Sequence, residues 1–159
     1  MNQYNTGFRI ATLNLFNYIA PPNAFYDIDN IYTQRQWQQK EKWIHQQLTD
    51  LVPDIVGFQE VFSPCELESI TKEHGLEHFV TVSPPGAGGQ HVYDKPVVAL
   101  ASRFPVMSAD AVKVSDSVIK KLKLQGDFSF SRPPIRAVVK IDDFTSVLVY
   151  VLHLKSKRS

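Results

Sequence analysis

The chain has 159 residues, the size of one ordinary domain, and its apolar fraction of 43% is enough for a hydrophobic core. Its formal net charge of +1 gives no global attraction to nucleic acid or to an acidic surface. Cys65 is the single cysteine, which excludes an intrachain disulfide and a cysteine-rich zinc site. Residues 1–7 lack the apolar core of a signal peptide, and no apolar run approaches the length of a membrane span. We therefore expect no membrane span and a cytoplasmic location.

The first predicted element is a strand over residues 8–15, where apolar and polar side chains alternate. Asn14 interrupts the apolar pattern of what we expect to be a central strand. A buried amide needs partners for its donors and its acceptor, so Asn14 lies either in a polar network or at a site. Residues 16–32 follow as a long loop, which inside a compact domain is often a functional rim.

A capping box, Thr33-Gln34-Arg35-Gln36, predicts a helix from about Gln34 to Asp50. We expect its buried stripe to contain Trp37, Trp43, Ile44, Leu48 and Leu51. The apolar run after Pro53 then predicts a buried strand over residues 54–60 that carries Glu60 at its end. Polar groups at the carboxyl end of such a strand lie where open α/β sheets place their ligand sites.

The second half of the chain is predicted to be mostly strands. Ser63-Pro64-Cys65-Glu66 is a second capping box, and Gly75 should end the short helix that follows. Residues 83–94 are expected to form a loop and residues 118–122 a helical turn. The expected strands are 77–82, 96–101, 106–114, 135–141 and 147–154, with a hairpin loop at 142–145. This order predicts an α/β layered architecture with a mixed sheet that is more antiparallel towards the end.

Three residues are candidates for chemistry: Asn14, Glu60 and His153 each interrupt or end an apolar strand. Mg²⁺ takes oxygen ligands from carboxylates and amides, and a histidine near a phosphoryl group can act as general acid or base. Taken singly, each has an ordinary structural explanation, namely a satisfied amide, a salt-bridged acid and a hydrogen-bonded core histidine. His74 and His78 have the spacing of helical metal ligands, but Gly75 between them makes a zinc site there a poor interpretation.

Four segments, in this order and attached to the expected strands, resemble the endonuclease/exonuclease/phosphatase superfamily of DNase I-like, metal-dependent phosphoesterases. They are Ala11-Thr12-Leu13-Asn14-Leu15-Phe16-Asn17, Pro53-Asp54-Ile55-Val56-Gly57-Phe58-Gln59-Glu60-Val61, Ser131-Arg132-Pro133-Pro134-Ile135-Arg136-Ala137 and His153-Leu154-Lys155-Ser156. The resemblance implies a single domain over residues 1–159 with an incomplete DNase I-like α/β-sandwich. This would contain one sheet with flanking helices and part of the second sheet.

The resemblance also implies roles for four residues. Glu60 matches the glutamate that ligates Mg²⁺, for which Mn²⁺ can substitute, and Asn14 matches the asparagine that supports the metal and the scissile phosphate. Arg132 matches an arginine that approaches the phosphate, although a surface salt bridge is an open alternative. His153 matches the histidine of the DNase I and sphingomyelinase branches, which assists at the phosphate opposite the metal.

The family's later segments, Gly-Asp-x-Asn and Ser-Asp-His, do not follow His153, and Gly126-Asp127-Phe128 does not replace them because it precedes His153. We therefore expect that this chain corresponds to the N-terminal half of a family domain, and that the chain by itself is inactive or nearly inactive. We also expect self-association through strands 135–154, because a missing part of a sheet exposes a strand edge. The substrate could be nucleic acid, a sphingolipid or an inositol phosphate. A non-catalytic interaction domain that retains the scaffold, or an unrelated α/β domain, remains an alternative.

Overall fold

A computed structural model describes residues 7–124 and 128–154. Gly126 and Asp127, and Lys155 and Ser156 of the last family-like segment, lie outside these residues. The helices are α1 (Gln34–Leu51), α2 (Pro64–Glu73) and α3 (Asp116–Lys121). The strands are β1 (Ile10–Tyr18), β2 (Ala24–Phe25), β3 (Ile55–Val61), β4 (His78–Val80), β5 (Gly86–Gly89), β6 (Val92–Lys95), β7 (Val97–Ser102), β8 (Val106–Ala111), β9 (Ile135–Lys140) and β10 (Ser146–Val151).

The main sheet has the strand order β1-β3-β7-β4. β1 runs parallel to β3, whereas β7 is antiparallel to both β3 and β4, so the sheet is mixed as predicted. The expectation that the strand with Asn14 is central is wrong, because β1 lies at the end of this order. Ala11, Leu13 and Leu15 of β1 face the helices, whereas no β1 residue joins the core under the second sheet, so Thr12 and Asn14 on that other face are exposed.

A second, antiparallel sheet has the order β10-β9-β8 and packs against one face of the main sheet. The core between the two sheets contains Ile55, Val98, Leu100, Ile135, Ala137, Val139 and Val151. α1 and α2 cover the opposite face of the main sheet, where their apolar side chains join residues of β1, β3 and β7 in a separate core cluster. The layers are therefore helices, main sheet and second sheet. This confirms the predicted α/β fold with one helix-flanked sheet and part of another.

α1 begins and ends close to its predicted limits. Thr33 caps it through the predicted box, with a hydrogen bond of 3.3 Å from the Gln36 amide and one of 2.9 Å back to Gln36 Oε1. The stripe is narrower than expected, because only 7% of Trp37 is exposed whereas 45% of Trp43 is exposed. Trp43 precedes Ile44 by one residue, which is about 100° around the helix and away from the stripe. Leu51 is also exposed, at the last position of the helix.

Two predictions about the connections are wrong. The Ser63 side chain makes no capping bond to α2; its Oγ accepts a hydrogen bond of 2.8 Å from the Ala20 amide instead. The predicted loops at 16–32 and 83–94 contain β2, β5 and β6, which form a small third sheet in the order β2-β6-β5. β5 is glycine-rich and pairs through its backbone, so it has no side-chain alternation from which a strand could be predicted.

No helix in residues 7–124 and 128–154 is long and apolar enough to cross a membrane.

The two sheets approach each other closely at Gly57 of β3. A Cβ atom at this position would lie 3.1 Å from Cγ1 and 3.3 Å from Cγ2 of Val151 on β10. The absence of a side chain at Gly57 therefore sets the spacing at which β10 packs on β3. That spacing matters for function because His153 follows β10 by two residues.

We expect Gly57→Val to lower the free energy of unfolding by about 1–3 kcal/mol, because it overpacks the contact with Val151. Urea unfolding followed by circular dichroism measures the change. Gly89→Ala is the matched control, since nothing lies within 4 Å of a Cβ there. Equal stability of the two variants would contradict the close packing of β10 on β3.

Candidate functional site

The candidate site lies where β1 and β3, running in parallel, reach the same edge of the main sheet. Asn14 and Gln59 form the last regular pair between the two strands. Glu60 is the next residue on β3, where the regular pairing has ended. Glu60 has a φ of 60°, and Phe16 and Asn17 on β1 have φ values of 50° and 57°. Left-handed backbone at a residue other than glycine costs about 1–3 kcal/mol and clusters at functional sites. Both strands therefore change direction at the level of the site.

The Glu60 carboxylate is the centre of the site. Its Oε1 accepts a hydrogen bond of 3.3 Å from Nδ2 of Asn14, and its Oε2 accepts one of 3.0 Å from the backbone amide of Asn17. His153 Nε2 lies 3.5 Å from Glu60 Oε1. The structure thus brings together three of the predicted site residues, from β1, from β3 and from the segment after β10.

Asn14 has a second contact that orients its amide. Its Oδ1 accepts a hydrogen bond of 2.9 Å from the Phe16 amide, which closes a local turn of the kind that asparagine favours. The adjacent Gln59 points elsewhere, and its side chain bonds to Thr12 Oγ1 at 3.0 Å. Asn14, rather than Gln59, therefore shares the site with Glu60.

Lys40 and Tyr32 support the site and were not predicted. Lys40 Nζ donates to the carbonyl oxygens of Leu15 at 2.8 Å and Phe16 at 2.7 Å, and the Tyr32 hydroxyl donates to the Phe16 carbonyl at 3.1 Å. Burial lowers the pKa of Lys40, and the Glu60 carboxylate acts in the opposite direction. Burial, followed by Glu60, raises the pKa of Tyr32. A lysine on a predicted helix gives no sequence signal for such a role.

The surroundings of His153 lower its pKa and so favour the neutral ring. Burial lowers its pKa, the charge of Arg132 lowers it further, and Glu60 opposes both. The contact with Glu60 is consequently not an ion pair near pH 7. Its Nδ1 is buried and has no hydrogen-bond partner within residues 7–124 and 128–154. A neutral ring can accept a proton at one nitrogen and donate a hydrogen bond from the other.

Arg132, the fourth predicted site residue, is not part of the Glu60 contacts described above. After burial, its charge is the next cause that lowers the pKa of His153. Arg132 lines a cleft of about 460 Å³ together with Asp94, Lys95, Pro96, Ser129, Phe130 and Ser131. Lys95 and Arg132 bring two cationic side chains to this cleft, and Asp94 brings one carboxylate.

The donor set at Glu60 suits a hard cation held largely by water. The described part of the chain contains no group of three or more His, Cys, Asp or Glu side chains that could hold a metal ion. Mg²⁺ usually keeps several waters and takes only one or two carboxylates from a protein. Glu60 supplies one carboxylate, and the buried Oδ1 of Asn17 is an acceptor without a hydrogen-bond partner in the described residues. These residues fit Mg²⁺, with water as the main ligand.

Comparison with known proteins shows a similar fold in three solved structures. An endonuclease/exonuclease/phosphatase from Beutenbergia cavernae matches with a TM-score of 0.61 at 17% identity, over 96% of this chain and 39% of that chain. A β-hairpin deletion mutant of β toxin from Staphylococcus aureus matches with a TM-score of 0.58 at 17% identity, over 98% and 54%. An endonuclease/exonuclease/phosphatase family protein from Leptotrichia buccalis matches with a TM-score of 0.54 at 12% identity, over 94% and 54%.

No protein-family model and no curated protein sequence matches the chain. The structural matches confirm the predicted fold, which is that of endonuclease/exonuclease/phosphatase, or DNase I-like, structures. The chain spans between 39% and 54% of the lengths of the matched structures.

We expect His153→Gln to reduce the loss of stability between pH 7 and about pH 5. The folded-state pKa of His153 lies below its ordinary value of 6.5, so the unfolded chain binds the proton more readily and stability falls as the pH drops. Glutamine removes this contribution. Urea unfolding at both pH values measures it, with the exposed His91→Gln as control. The same pH dependence in wild type and His153→Gln would contradict a lowered pKa of His153 in the folded protein.

We expect Lys40→Met to lower the free energy of unfolding by about 1–2 kcal/mol, because two carbonyl groups lose a charged donor. Lys42→Met on the exposed face of α1 is the matched control and should stay within about 0.5 kcal/mol of wild type. Guanidinium unfolding measures both. Equal effects of the two substitutions would exclude a supporting role for Lys40.

Proposed function

We propose that this chain forms part of a Mg²⁺-dependent phosphoesterase domain that acts on phosphodiester or phosphomonoester bonds. The observation that carries the proposal is the Glu60 carboxylate, held by Asn14 and Asn17 with His153 Nε2 at 3.5 Å. The fold shared with endonuclease/exonuclease/phosphatase structures supports it, although at identities of 12–17% that likeness extends to the fold alone.

Each side chain has a role in this proposal. Glu60 would hold Mg²⁺ or Mn²⁺, and Asn14 keeps the carboxylate in place through its Nδ2. When bound, the ion would act as a Lewis acid on the phosphate. His153 can donate a hydrogen bond to a phosphate oxygen or accept a proton from a water molecule. Arg132 presents a planar guanidinium, which suits two hydrogen bonds to a phosphate group.

In-line phosphoryl transfer also requires a group that orients the attacking water. The contacts around Glu60 in the described residues include one carboxylate and one histidine. We therefore propose that the 159-residue chain binds the metal and a phosphate ester but hydrolyses the ester slowly or not at all. Full activity would belong to a domain of the length of the matched structures.

The class of phosphate ester stays open among nucleic acid, sphingolipid and inositol phosphate. Lys95 and Arg132 in one cleft suit an anionic ester of any of these kinds. Self-association through strands 135–154 also stays a prediction. β10 lies at the end of the second sheet, and Leu148 and Tyr150 on it are each half exposed. The predicted cytoplasmic location likewise stays a prediction.

We expect Mg²⁺ or Mn²⁺ to raise the melting temperature of the wild-type chain and not that of Glu60→Gln. An ion at one hundred times its dissociation constant stabilises a folded protein by about 2.7 kcal/mol. Differential scanning fluorimetry and isothermal titration calorimetry measure the response, and the exposed Glu77→Gln is the matched control.

Absence of any metal response in the wild type would favour the alternative of a non-catalytic interaction domain. A response that survives in Glu60→Gln would place the ion elsewhere. Rapid Mg²⁺-dependent hydrolysis of bis-p-nitrophenyl phosphate by the pure 159-residue chain would contradict the proposal that this chain lacks water activation.

A further inference from the structure

Two histidines meet between α1 and α2, in the helical layer. Nδ1 of His45, on α1, lies 2.9 Å from Nε2 of His74, the residue that follows α2, and the ring centroids are 5.1 Å apart. Both side chains are partly buried, so solvent reaches them. The partner of His74 is thus His45, twenty-nine positions away, rather than His78.

Acidic residues belong to the same two helices as the pair. Glu41 lies one turn before His45 on α1, and Glu66 and Glu73 belong to α2. Glu73 directly precedes His74, and Glu41 lies four residues before His45, so each histidine has an acidic neighbour on its own segment.

We propose that His45 and His74 bind a divalent transition-metal ion of the Zn²⁺ type and that the ion links α1 to the end of α2. Two imidazole nitrogens on one tetrahedral Zn²⁺, each about 2.0–2.1 Å from the ion, lie about 3.3 Å apart. The observed separation of 2.9 Å is within a few tenths of an ångström of this value. Rotation of the two rings directs both lone pairs to a common point, with the ring protons on the outer nitrogens.

The chemistry of the pair favours a transition metal over the hard cation proposed at Glu60. Neutral imidazole is a preferred ligand for Zn²⁺, Ni²⁺ and Cu²⁺, whereas Mg²⁺ prefers oxygen. Two imidazoles supply half of a tetrahedral set. No third His, Cys, Asp or Glu side chain of residues 7–124 and 128–154 joins the pair, so water completes the set and the site binds more weakly than a four-ligand structural site.

The test uses Zn²⁺ as the probe and the Glu60→Gln protein as background, so that the site at Glu60 does not contribute. Zn²⁺ should raise the melting temperature, and EDTA should reverse the shift. His45→Gln and His74→Gln should each abolish the shift, whereas the exposed His91→Gln should retain it. Mg²⁺ should have no effect in this background. An equal Zn²⁺ shift in all three histidine variants would overturn the proposal.

A second measurement does not depend on the folding of the variants. Long-range ¹H–¹⁵N spectra of the histidine rings in the Glu60→Gln protein report on each ring nitrogen. Zn²⁺ should shift the signals of His45 Nδ1 and His74 Nε2 and leave those of His91 unchanged. If Zn²⁺ binds elsewhere on the protein while the signals of His45 and His74 stay unchanged, the two rings form a hydrogen-bonded pair only. That result would overturn the proposal. Because these residues are separate from Glu60, Asn14 and His153, failure here leaves the proposed phosphoesterase function untouched.

Discussion

The position of the Glu60 carboxylate depends on the hydrogen bond that it accepts from the Asn17 amide, because this bond joins two segments of left-handed backbone on neighbouring strands. Parallel pairing of β1 with β3 brings these segments to one edge of the sheet. Without left-handed backbone at Glu60, strict alternation along β3 would assign its side chain to one of the two sheet faces, both of which are packed in the core. The left-handed backbone at Glu60 and Asn17 thus turns the Glu60 carboxylate away from the packed faces of the sheet and towards the site.

The layers on both sides of the main sheet contribute to this arrangement. On the helical side, the ammonium group of Lys40 on α1 binds the carbonyl groups of Leu15 and Phe16, immediately before the left-handed Asn17. On the other side, the close approach of Val151 to Gly57 positions the chain that leads to His153. The site is therefore formed by three layers. The helices supply Lys40, the main sheet supplies the Glu60–Asn17 hydrogen bond, and the second sheet supplies the contact of Val151 with Gly57.

Much of the fold and part of the site could be predicted from local sequence. The capping box at Thr33 and the apolar run that ends in Glu60 identify α1 and β3, because caps and runs act within a few residues. Asn14, Glu60 and His153 stood out as polar groups in apolar strands. The failures have equally local causes. Glycine-rich β5 has no pattern of side chains, and Ser63 bonds to Ala20 in preference to its own helix.

The sequence by itself determined the order of the elements in the two larger sheets and the helical layer, the mixed α/β class and the choice of Asn14, Glu60 and His153 as candidates. These properties depend on periodicity, caps and side-chain chemistry, all of which are local. Only the tertiary structure decided that β1 is an edge strand, that Lys40 supports the turn after Asn14, and that His45 faces His74. The physical reason is that contacts between residues far apart in the chain are set by strand register and by the packing of layers, and no local pattern specifies either.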